Sequence, residues 1–408
     1  MKIQEIIIKA IEGRINWVQA ANIIGVSGRQ MRRMKRRYEE EGWDGLYDRR
    51  RGLPSPKRVP IETVREVLRL YREEYFDFNV RHFHEKLVEE HGIKLSYTWV
   101  KLALQAAELV KKDRKRGVHR KRRPRKPVPG MMLHIDASRH RWLADGSWHD
   151  FIVVMDDATS EIYYAQLVDE ESTRTVMAAL REVVEGKGLF CSLYSDRASH
   201  FFQTPKAGDV VDRQQLTQVG RAMAELGIEM IPAYSPQARG RSERGYRTWQ
   251  GRLPQELRRL GVKTINEANQ FLRDKYIGKF NKSFSVAAKE KGNAFLSPGN
   301  RDLELIFCLQ HERVVGKDNT VRIANRCLQI EPTRWWSTLA GCRVKVHEHL
   351  DGKLTIRYAN RVVGLYGEDG TALKEPRRPK KAVEKPVASR PWKSLRDSHF
   401  PTATTTRS

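Results

Sequence analysis

Cysteine is scarce in this chain of 408 residues, which holds only four of them. They form no CxxC pair and no Cys-His spacing of the kind that binds zinc. The sequence therefore argues against a disulfide framework and against a structural zinc site. We expect reduced, mostly buried thiols at Cys191, Cys308, Cys327 and Cys342.

Long apolar runs are also missing. The first ten residues are too polar for a signal peptide, and no stretch approaches the roughly 20 apolar residues that span a bilayer. These absences predict no membrane partner and a cytoplasmic location. Hydrophobic residues still make up 39% of the chain. That share predicts a globular protein, and the length allows about two to four domains.

Acidic residues are outnumbered in this sequence. The 50 Asp and Glu residues face 76 Lys and Arg residues, which gives a formal net charge of +26. Such an excess calls for a polyanionic partner, and nucleic acid is the first candidate. An acidic lipid surface is the alternative, but the lack of an apolar anchor disfavours it.

Residues 1–52 are predicted to form a helix-turn-helix DNA-binding domain. Trp17 to Ile24 is apolar at helical spacing, Gly25 suits the tight turn, and Ser27 is a good N-cap for a second helix. That second helix is basic enough to fit a phosphate-lined major groove. The alternative is a merely solvated amphipathic helix. The candidate DNA contacts on it are Arg29, Gln30, Arg32, Arg33 and Arg36.

Residues 60–110 predict a second helical unit of helix-turn-helix type. Val80 to Glu90 is amphipathic, residues 91–94 make a turn, and Ser96 can cap a helix that runs to Leu109. Because this last helix is less basic than its counterpart in the first domain, a helical spacer is an open alternative.

A basic linker follows at residues 111–130, where Lys and Arg are dense. Between two DNA-binding units and the core, such a run can track phosphates. A solvated charge run is the alternative. The candidate DNA contacts in it are Lys121, Arg122 and Arg123.

Residues 131–262 predict the central core. Apolar segments of strand length alternate with helical patterns in the order three strands, helix, strand, helix, strand, helix. This is the order of an RNase H-like fold, a mixed sheet flanked by helices. The predicted strands are 132–135, 151–155, 162–165, 189–194 and 228–231, and the helices are 172–184, 212–226 and one that bears Glu243.

Three acidic residues of the core carry the chemistry that we expect: Asp136, Asp196 and Glu243. The first two follow short apolar strands, and the third lies in the first turns of a helix. Carboxylates that converge from two strands and a helix can bind a pair of Mg²⁺ ions, about 4 Å apart, and such a pair cuts and rejoins phosphodiesters. Mn²⁺ could replace Mg²⁺ in this role. We therefore assign the three residues as both catalytic and metal-binding.

Other residues compete for these roles. Asp156 and Asp157 also follow an apolar strand, but they suit a plain hairpin turn. His134 and His200 fall near the acids, where a structural role or a DNA contact is favoured over metal ligation. The remaining alternatives are Asp209 and Asp212 for Asp196, and Glu225, Glu229 and Glu256 for Glu243.

Three further segments follow the core. Residues 263–300 predict a helical connector, and residues 301–370 predict a small SH3-like β-barrel. The main cue for the barrel is a turn at Asp351-Gly352 between two alternating apolar segments. The basic tail at 371–408 is expected to be disordered in isolation. The predicted fold class is thus multidomain, with N-terminal all-α helix-turn-helix units, a central α/β RNase H-like fold and a C-terminal small β-barrel.

The acidic motifs give the sequence a resemblance to DDE transposases and retroviral-type integrases. They read strand-Asp at Asp136, strand-Ser-Asp at Asp196 and Ser-Pro-x-x-x-Gly-x-x-Glu at Glu243. The chain most resembles bacterial insertion-sequence transposases of the ISNCY type, over most of its length. The resemblance implies Mg²⁺-dependent cleavage at element ends, joining of the 3′-hydroxyls to target DNA, a homodimer or higher homo-oligomer on double-stranded DNA, and a nucleoid-associated location. A transcription regulator without strand transfer and an RNase H-like nuclease remain as alternatives.

Two departures from the family pattern concern the third acid. The gap from Asp196 to Glu243 is 47 positions (243 − 196), which is longer than the familiar spacing, and the segment 203–213 looks like an insertion. Many relatives also carry Lys or Arg seven residues after the glutamate, where this chain has Gln250. Arg247, one turn after Glu243, could take that phosphate contact. Arg239 and Arg241 are further candidate DNA contacts beside the site.

Overall fold

The chain divides into two units, Met1–Lys115 and Arg116–Ser408, which are described separately. The structure is a computed structural model that describes residues 3–47, 58–112, 123–204, 210–212, 214–234, 240–332 and 335–373. The predicted basic tail falls almost entirely outside these residues, as do Lys121, Arg122 and Arg239.

The first unit begins with three short helices around a small core of Ile, Ala and Met side chains. Gly25 ends the second helix in the left-handed conformation, with φ 77°, which favours glycine. The Ser27 side chain accepts a hydrogen bond from the Gln30 amide and starts the third helix. The predicted helix-turn-helix is therefore confirmed, and a helix before it was not predicted. The helices are α1 (Ile3–Ile11), α2 (Trp17–Ile24) and α3 (Gly28–Glu41).

Three more helices of the same unit enclose an aromatic core that includes Tyr71, Tyr75, Phe78 and Phe83. The Ser96 side chain accepts from the Trp99 amide, as expected for the N-cap of the last helix. These helices are α4 (Ile61–Glu73), α5 (Val80–Glu89) and α6 (Tyr97–Ala106), the last ending three residues before the predicted Leu109.

The second unit contains a five-stranded mixed sheet in the order β3-β2-β1-β4-β5. The first three strands form an antiparallel meander, and β4 and β5 run parallel to β1. This is the sheet order of the predicted RNase H-like core. The strands are β1 (Leu133–His140), β2 (His149–Asp156), β3 (Ile162–Val168), β4 (Ser192–Ser195) and β5 (Glu229–Pro232).

Hydrophobic layers cover both faces of this sheet. Leu133 and Ile135 of β1 point into a layer shared with two helices on one face. Because side chains alternate along a strand, His134 and Asp136 point to the other face, where Phe151, Trp249 and their neighbours pack. The helices of the first layer are α7 (Thr173–Lys187) and α8 (Gln218–Leu226), and those of the second are α9 (Gly240–Gln250), α10 (Leu253–Arg259), α11 (Ile265–Phe271) and α12 (Ile277–Phe284), with one π-helical turn at Leu272–Tyr276.

Two asparagines cover the outer edge of the sheet at β3. The Asn269 side chain accepts from the Leu167 amide at 2.7 Å and donates to the Leu167 carbonyl at 2.8 Å. Asn281 makes the same pair of bonds with Ile162, at 2.8 and 2.9 Å. Each amide side chain thus replaces the partner that a neighbouring strand would supply to the edge.

We expect Asn269→Ala to lower the free energy of unfolding by about 2 kcal/mol, because it leaves the buried Leu167 amide and carbonyl without their partners. Urea unfolding of the full chain measures the change. Asn266→Ala is the matched control, since Asn266 lies on the same helix and is exposed. An equal loss in both variants would contradict a specific role for the Leu167 contacts.

The predicted C-terminal barrel is not seen as a closed barrel within the described residues. One sheet has the order β11-β10-β9-β6, and β7 pairs only with β8 in a second sheet. The two sheets share one hydrophobic core. An alternating pattern is the same for an open pair of sheets and for a closed one, so the sequence could not separate them. The elements are a short helix α13 (Leu303–Ile306), β6 (Leu309–Val314), β7 (Thr320–Ile323), β8 (Arg326–Gln329), β9 (Arg343–Glu348), β10 (Leu354–Tyr358) and β11 (Arg361–Tyr366).

All four cysteines are free, as predicted, but they are not mostly buried. Cys308 is buried, whereas Cys191 and Cys327 are exposed. On β8 the alternation of the strand sends Leu328 inward and Cys327 outward. No helix among the described residues is long and apolar enough to cross a membrane.

Candidate catalytic site and DNA-binding helices

Asp136 lies inside β1 rather than at the end of a strand, because β1 runs on to His140. Its side chain is 7% exposed, which is unusual for a carboxylate. It shares a face of the sheet with His134, two residues earlier. A long strand with a buried acid in its middle therefore replaces the short predicted strand.

Asp196 directly follows β4, as predicted. Strands β1 and β4 are parallel neighbours, and Leu133 pairs with Leu193, an offset of 60 positions (193 − 133). The observed pairing ends at His134 and Tyr194, and the same offset continued by two residues would place Asp196, the residue after β4, level with Asp136 of β1. Neighbouring strands lie about 4.8 Å apart. The Asp196 carboxylate also accepts from the Ala198 amide at 3.0 Å, which orders the turn after the strand.

Glu243 lies in the first turn of α9 and is exposed. An acid there is favoured by the helix dipole whatever else it does. Two contacts fix α9 along β1: the Tyr246 hydroxyl donates to the backbone carbonyl of Asp136, and Gln250 Nε2 donates to Ser138 Oγ at 3.0 Å. The helix that carries Glu243 is thus bound to the strand residue Asp136 itself.

The described residues contain no group of three His, Cys, Asp or Glu side chains close enough together to hold a metal ion. The structure therefore places Asp136 on β1, Asp196 directly after the neighbouring β4 and Glu243 on the helix bound to β1, but it does not gather the three carboxylates. Their chemistry fits Mg²⁺, which prefers carboxylate oxygens. The three carboxylates are suitable donors for Mg²⁺, but this conformation does not bring them together.

An ionic cluster is centred on the buried Asp157, and we call it the Asp157 cluster: Asp157, Arg123, His134 and Arg241. Asp157 is 0% exposed. Its carboxylate accepts from Arg123 at 2.6 Å, from His134 at 2.7 Å and from Arg241, and the other oxygen accepts from the Lys126 amide at 2.8 Å. Arg241 also donates to the Arg123 carbonyl at 3.1 Å.

The electrostatics of this cluster keep Asp157 ionised. Burial alone would raise the pKa of Asp157, but the hydrogen bonds from His134 and the Lys126 amide, with the charges of His134 and Arg241, hold that pKa well below its usual range. Burial lowers the pKa of His134, against the opposing effect of Asp157. A charged carboxylate surrounded by donors is a strong structural tie in a buried setting.

The neighbouring Asp156 is just as buried, but its carboxylate binds only its own turn and the Gly130 amide. Its carboxylate accepts from the Gly130 amide at 2.9 Å and from the amide and hydroxyl of Thr159 at 2.8 and 2.9 Å. The turn predicted at both aspartates is confirmed by the antiparallel pairing of β2 with β3. The role of Asp157 in a wider cluster was missed. Two consecutive acids after a strand buried on both faces were the only available signal.

The candidate DNA contacts fall into three groups in the structure. Those on α3 and Arg247 on α9 are exposed. Arg123 and Arg241 instead direct their guanidinium groups at Asp157, which the sequence did not indicate. Lys121, Arg122 and Arg239 lie outside the described residues. The exposed group on α3 is Arg29, Gln30, Arg32, Arg33 and Arg36.

The described ends of the segment 203–213 pair with each other. Gln203 and Asp212 pair in an isolated antiparallel bridge, in which the Asp212 amide donates to the Gln203 carbonyl at 2.8 Å. The two ends of the segment therefore meet, so the added length does not displace α8 from the sheet. His200 contacts Glu171, at 3.2 Å between Nε2 and Oε1, rather than any of the three acids.

The chain matches two family models in its N-terminal part, a helix-turn-helix domain over residues 4–54 and a homeodomain-like domain over residues 30–104. "Putative transposase y4bF" of Sinorhizobium fredii is 32% identical over 360 residues, covering 87% of this chain and 78% of that protein. The "Transposase for insertion sequence IS1202" of Streptococcus pneumoniae is 28% identical over 395 residues, covering 88% and 84%. A solved HTLV-2 integrase catalytic core domain in complex with magnesium matches 36% of this chain and 89% of that chain at 14% identity, but the TM-score of 0.27 is too low to add weight.

Proposed function

Because the chain belongs to the family of bacterial insertion-sequence transposases, we propose that it binds the terminal inverted repeats of its element, cleaves their 3′ ends and joins them to target DNA. The reaction class is polynucleotidyl transfer by a DDE-type site. The proposed catalytic and metal-binding residues are Asp136, Asp196 and Glu243.

The observation that carries this proposal is the parallel pairing of β1 with β4, which brings the strand of Asp136 beside the strand that Asp196 follows, together with the Tyr246 bond that ties the Glu243 helix to Asp136. In proteins that bind them, paired Mg²⁺ ions activate the attacking hydroxyl and neutralise charge on the phosphoryl group. Asp136 would supply a carboxylate from β1, Asp196 one from the end of the neighbouring β4, and Glu243 a third from an exposed position.

Two helices of the first unit are proposed to meet the DNA. Helix α3 presents its exposed arginines, whose charge suits phosphates. Helix α6 contains no acidic residue, carries Lys101 and is preceded by Lys94. By contrast, α4 carries its acids outward in ion pairs with Arg65 and Arg69, at 2.7 to 3.0 Å, so its face has little net charge to offer a polyanion. We propose that α6 is the second DNA-binding helix rather than part of a spacer.

The remaining proposed DNA contacts are Arg247 beside the acids and Lys121, Arg122 and Arg239 outside the described residues. Arg123 and Arg241 are left out of this set because their guanidinium groups bind Asp157. Two copies of the chain, or more, would bring two element ends together, since each copy carries one set of acids.

A strand-transfer assay tests the proposal. The duplex ends of the DNA that flanks the coding region are supplied precut, with a supercoiled plasmid and Mg²⁺ or Mn²⁺. We expect covalent joining of the 3′ ends to the plasmid. Hydrolysis without joining would indicate an RNase H-like nuclease instead, and specific binding without cleavage or joining would indicate a transcription regulator.

A further inference from the structure

The Asp157 cluster touches the chain just before each of the three proposed metal ligands. His134 precedes Asp136 by two residues on β1, and Arg241 precedes Glu243 by two residues in the first turn of α9. The cluster also contacts β4, because the guanidinium carbon of Arg123 lies 5.3 Å from the ring centre of Tyr194. Tyr194 precedes Asp196 by two residues.

The contacts of the cluster join separate elements rather than one turn. The rings of His134 and Tyr194 lie 5.0 Å apart between centres, so β1 and β4 meet beneath the cluster. Arg241 reaches from α9 to both the carboxylate and the backbone carbonyl of Asp157. Asp157 itself is fixed to β1 by its amide, which donates to the Met132 carbonyl at 3.0 Å. One buried carboxylate therefore links β1, the turn after β2 and the start of α9.

We propose that Asp157 is a positioning residue for the proposed metal site, acting through Arg241 and His134 and touching neither the ions nor the DNA. This inference rests on the proposed function. Glu243 is exposed, so its side-chain torsions are free, and what must be fixed is the backbone at the start of α9. Arg241, in that turn, is tied to the buried carboxylate of Asp157 in the turn after β2.

The chemistry of the cluster suits this role. A guanidinium offers several donors in a rigid plane, so it fixes direction as well as distance when it meets a carboxylate and two carbonyls at once. Arg241 uses its donors in this way, on the Asp157 carboxylate, the Asp157 carbonyl and the Arg123 carbonyl. Residues behind metal ligands commonly set their orientation, and their loss weakens metal binding by about 10- to 100-fold.

Manganese binding tests the proposal without relying on DNA cleavage. The full chain is titrated with Mn²⁺ alone, and free Mn²⁺ is followed by its electron paramagnetic resonance signal. We expect Asp157→Asn to raise the half-saturating Mn²⁺ concentration by about tenfold. Arg241→Gln should do the same, and it decides the matter if Asp157→Asn does not fold, because it leaves Asp157 with three of its donors.

Asp156→Asn is the matched control, since Asp156 is equally buried and adjacent but bonds only Gly130 and Thr159. It should lower the melting temperature and leave Mn²⁺ binding unchanged. Unchanged Mn²⁺ binding in both Asp157→Asn and Arg241→Gln, with only a lower melting temperature, would overturn the positioning role. Asp136→Asn tests the proposed metal site separately from the positioning role of Asp157. If this variant also leaves Mn²⁺ binding unchanged, the proposed metal site is wrong.

Discussion

Asp196→Asn is expected to reduce end cleavage by about a thousandfold or more, equivalent to roughly 4 kcal/mol of activation free energy. Glu243→Gln should have a similar effect. Each change keeps the size of the side chain and removes the negative charge that would hold a divalent ion. Neither residue lies on α3 or α6, so affinity for the end-bearing duplex should stay within about twofold, because sites in separate elements act independently. Cleavage of an end-labelled duplex and a parallel filter-binding measurement give the two quantities.

Asp212→Asn provides the control for this result. Asp212 is an alternative acid in the same region, and its carboxylate accepts from the Gln214 and Gln215 amides at 2.8 and 3.3 Å. We expect that variant to cleave normally. Retained strand transfer by Asp196→Asn or Glu243→Gln, or its loss in Asp212→Asn alone, would refute the assignment of the acids.

Binding to DNA is expected to weaken steeply with salt. A protein that neutralises about six phosphates loses roughly a thousandfold in affinity between 50 and 200 mM monovalent salt, because each neutralised phosphate releases condensed counterions. The net charge of +26 and the exposed arginines of α3 lead us to expect that at least that many phosphates are neutralised. The slope of log affinity against log salt concentration measures the number of neutralised phosphates.

The contribution of α3 to this slope can be isolated. Arg32→Ala combined with Arg33→Ala should make the slope shallower by about two, because each arginine removed leaves one phosphate with its counterions. Arg65→Ala is the matched control, because Arg65 belongs to the same unit and is exposed, but pairs with Glu62 at 3.0 Å on α4. A shallow slope in the unaltered protein, or equal effects of the α3 and α4 changes, would mean that the arginines of α3 face solvent in the complex.

The sequence predicted the order of elements in the core because local signals were strong there. Ser172 starts α7 as an N-cap, and the apolar runs around Val153 and Leu193 became β2 and β4. Strand lengths were harder, since β1 continues through polar residues to His140. Those residues are held by pairing with β2, which is a tertiary effect that no local propensity encodes. Whether the C-terminal sheets close into a barrel is likewise a tertiary property, and the alternating pattern did not decide it.

In the candidate site too, the sequence identified some residues and could not assign the role of others. Asp136, Asp196 and Glu243 could be selected because each follows or begins a recognisable element. Arg123 and Arg241 could not be separated from DNA contacts, because their partner Asp157 lies 34 and 84 positions away in the chain. The sequence shows that a residue is basic. Which buried acid it contacts depends on the tertiary structure, because the partners are far apart in the chain.

The asparagines at the rim of β3 have a consequence for how copies of this chain can associate. The outward amide and carbonyl of Ile162 and of Leu167 are already satisfied within the subunit. A second copy therefore cannot extend the sheet by hydrogen bonding its backbone at those positions. Copies of the chain that assemble on two element ends, as proposed, would therefore have to meet through contacts other than backbone pairing at these two positions of β3.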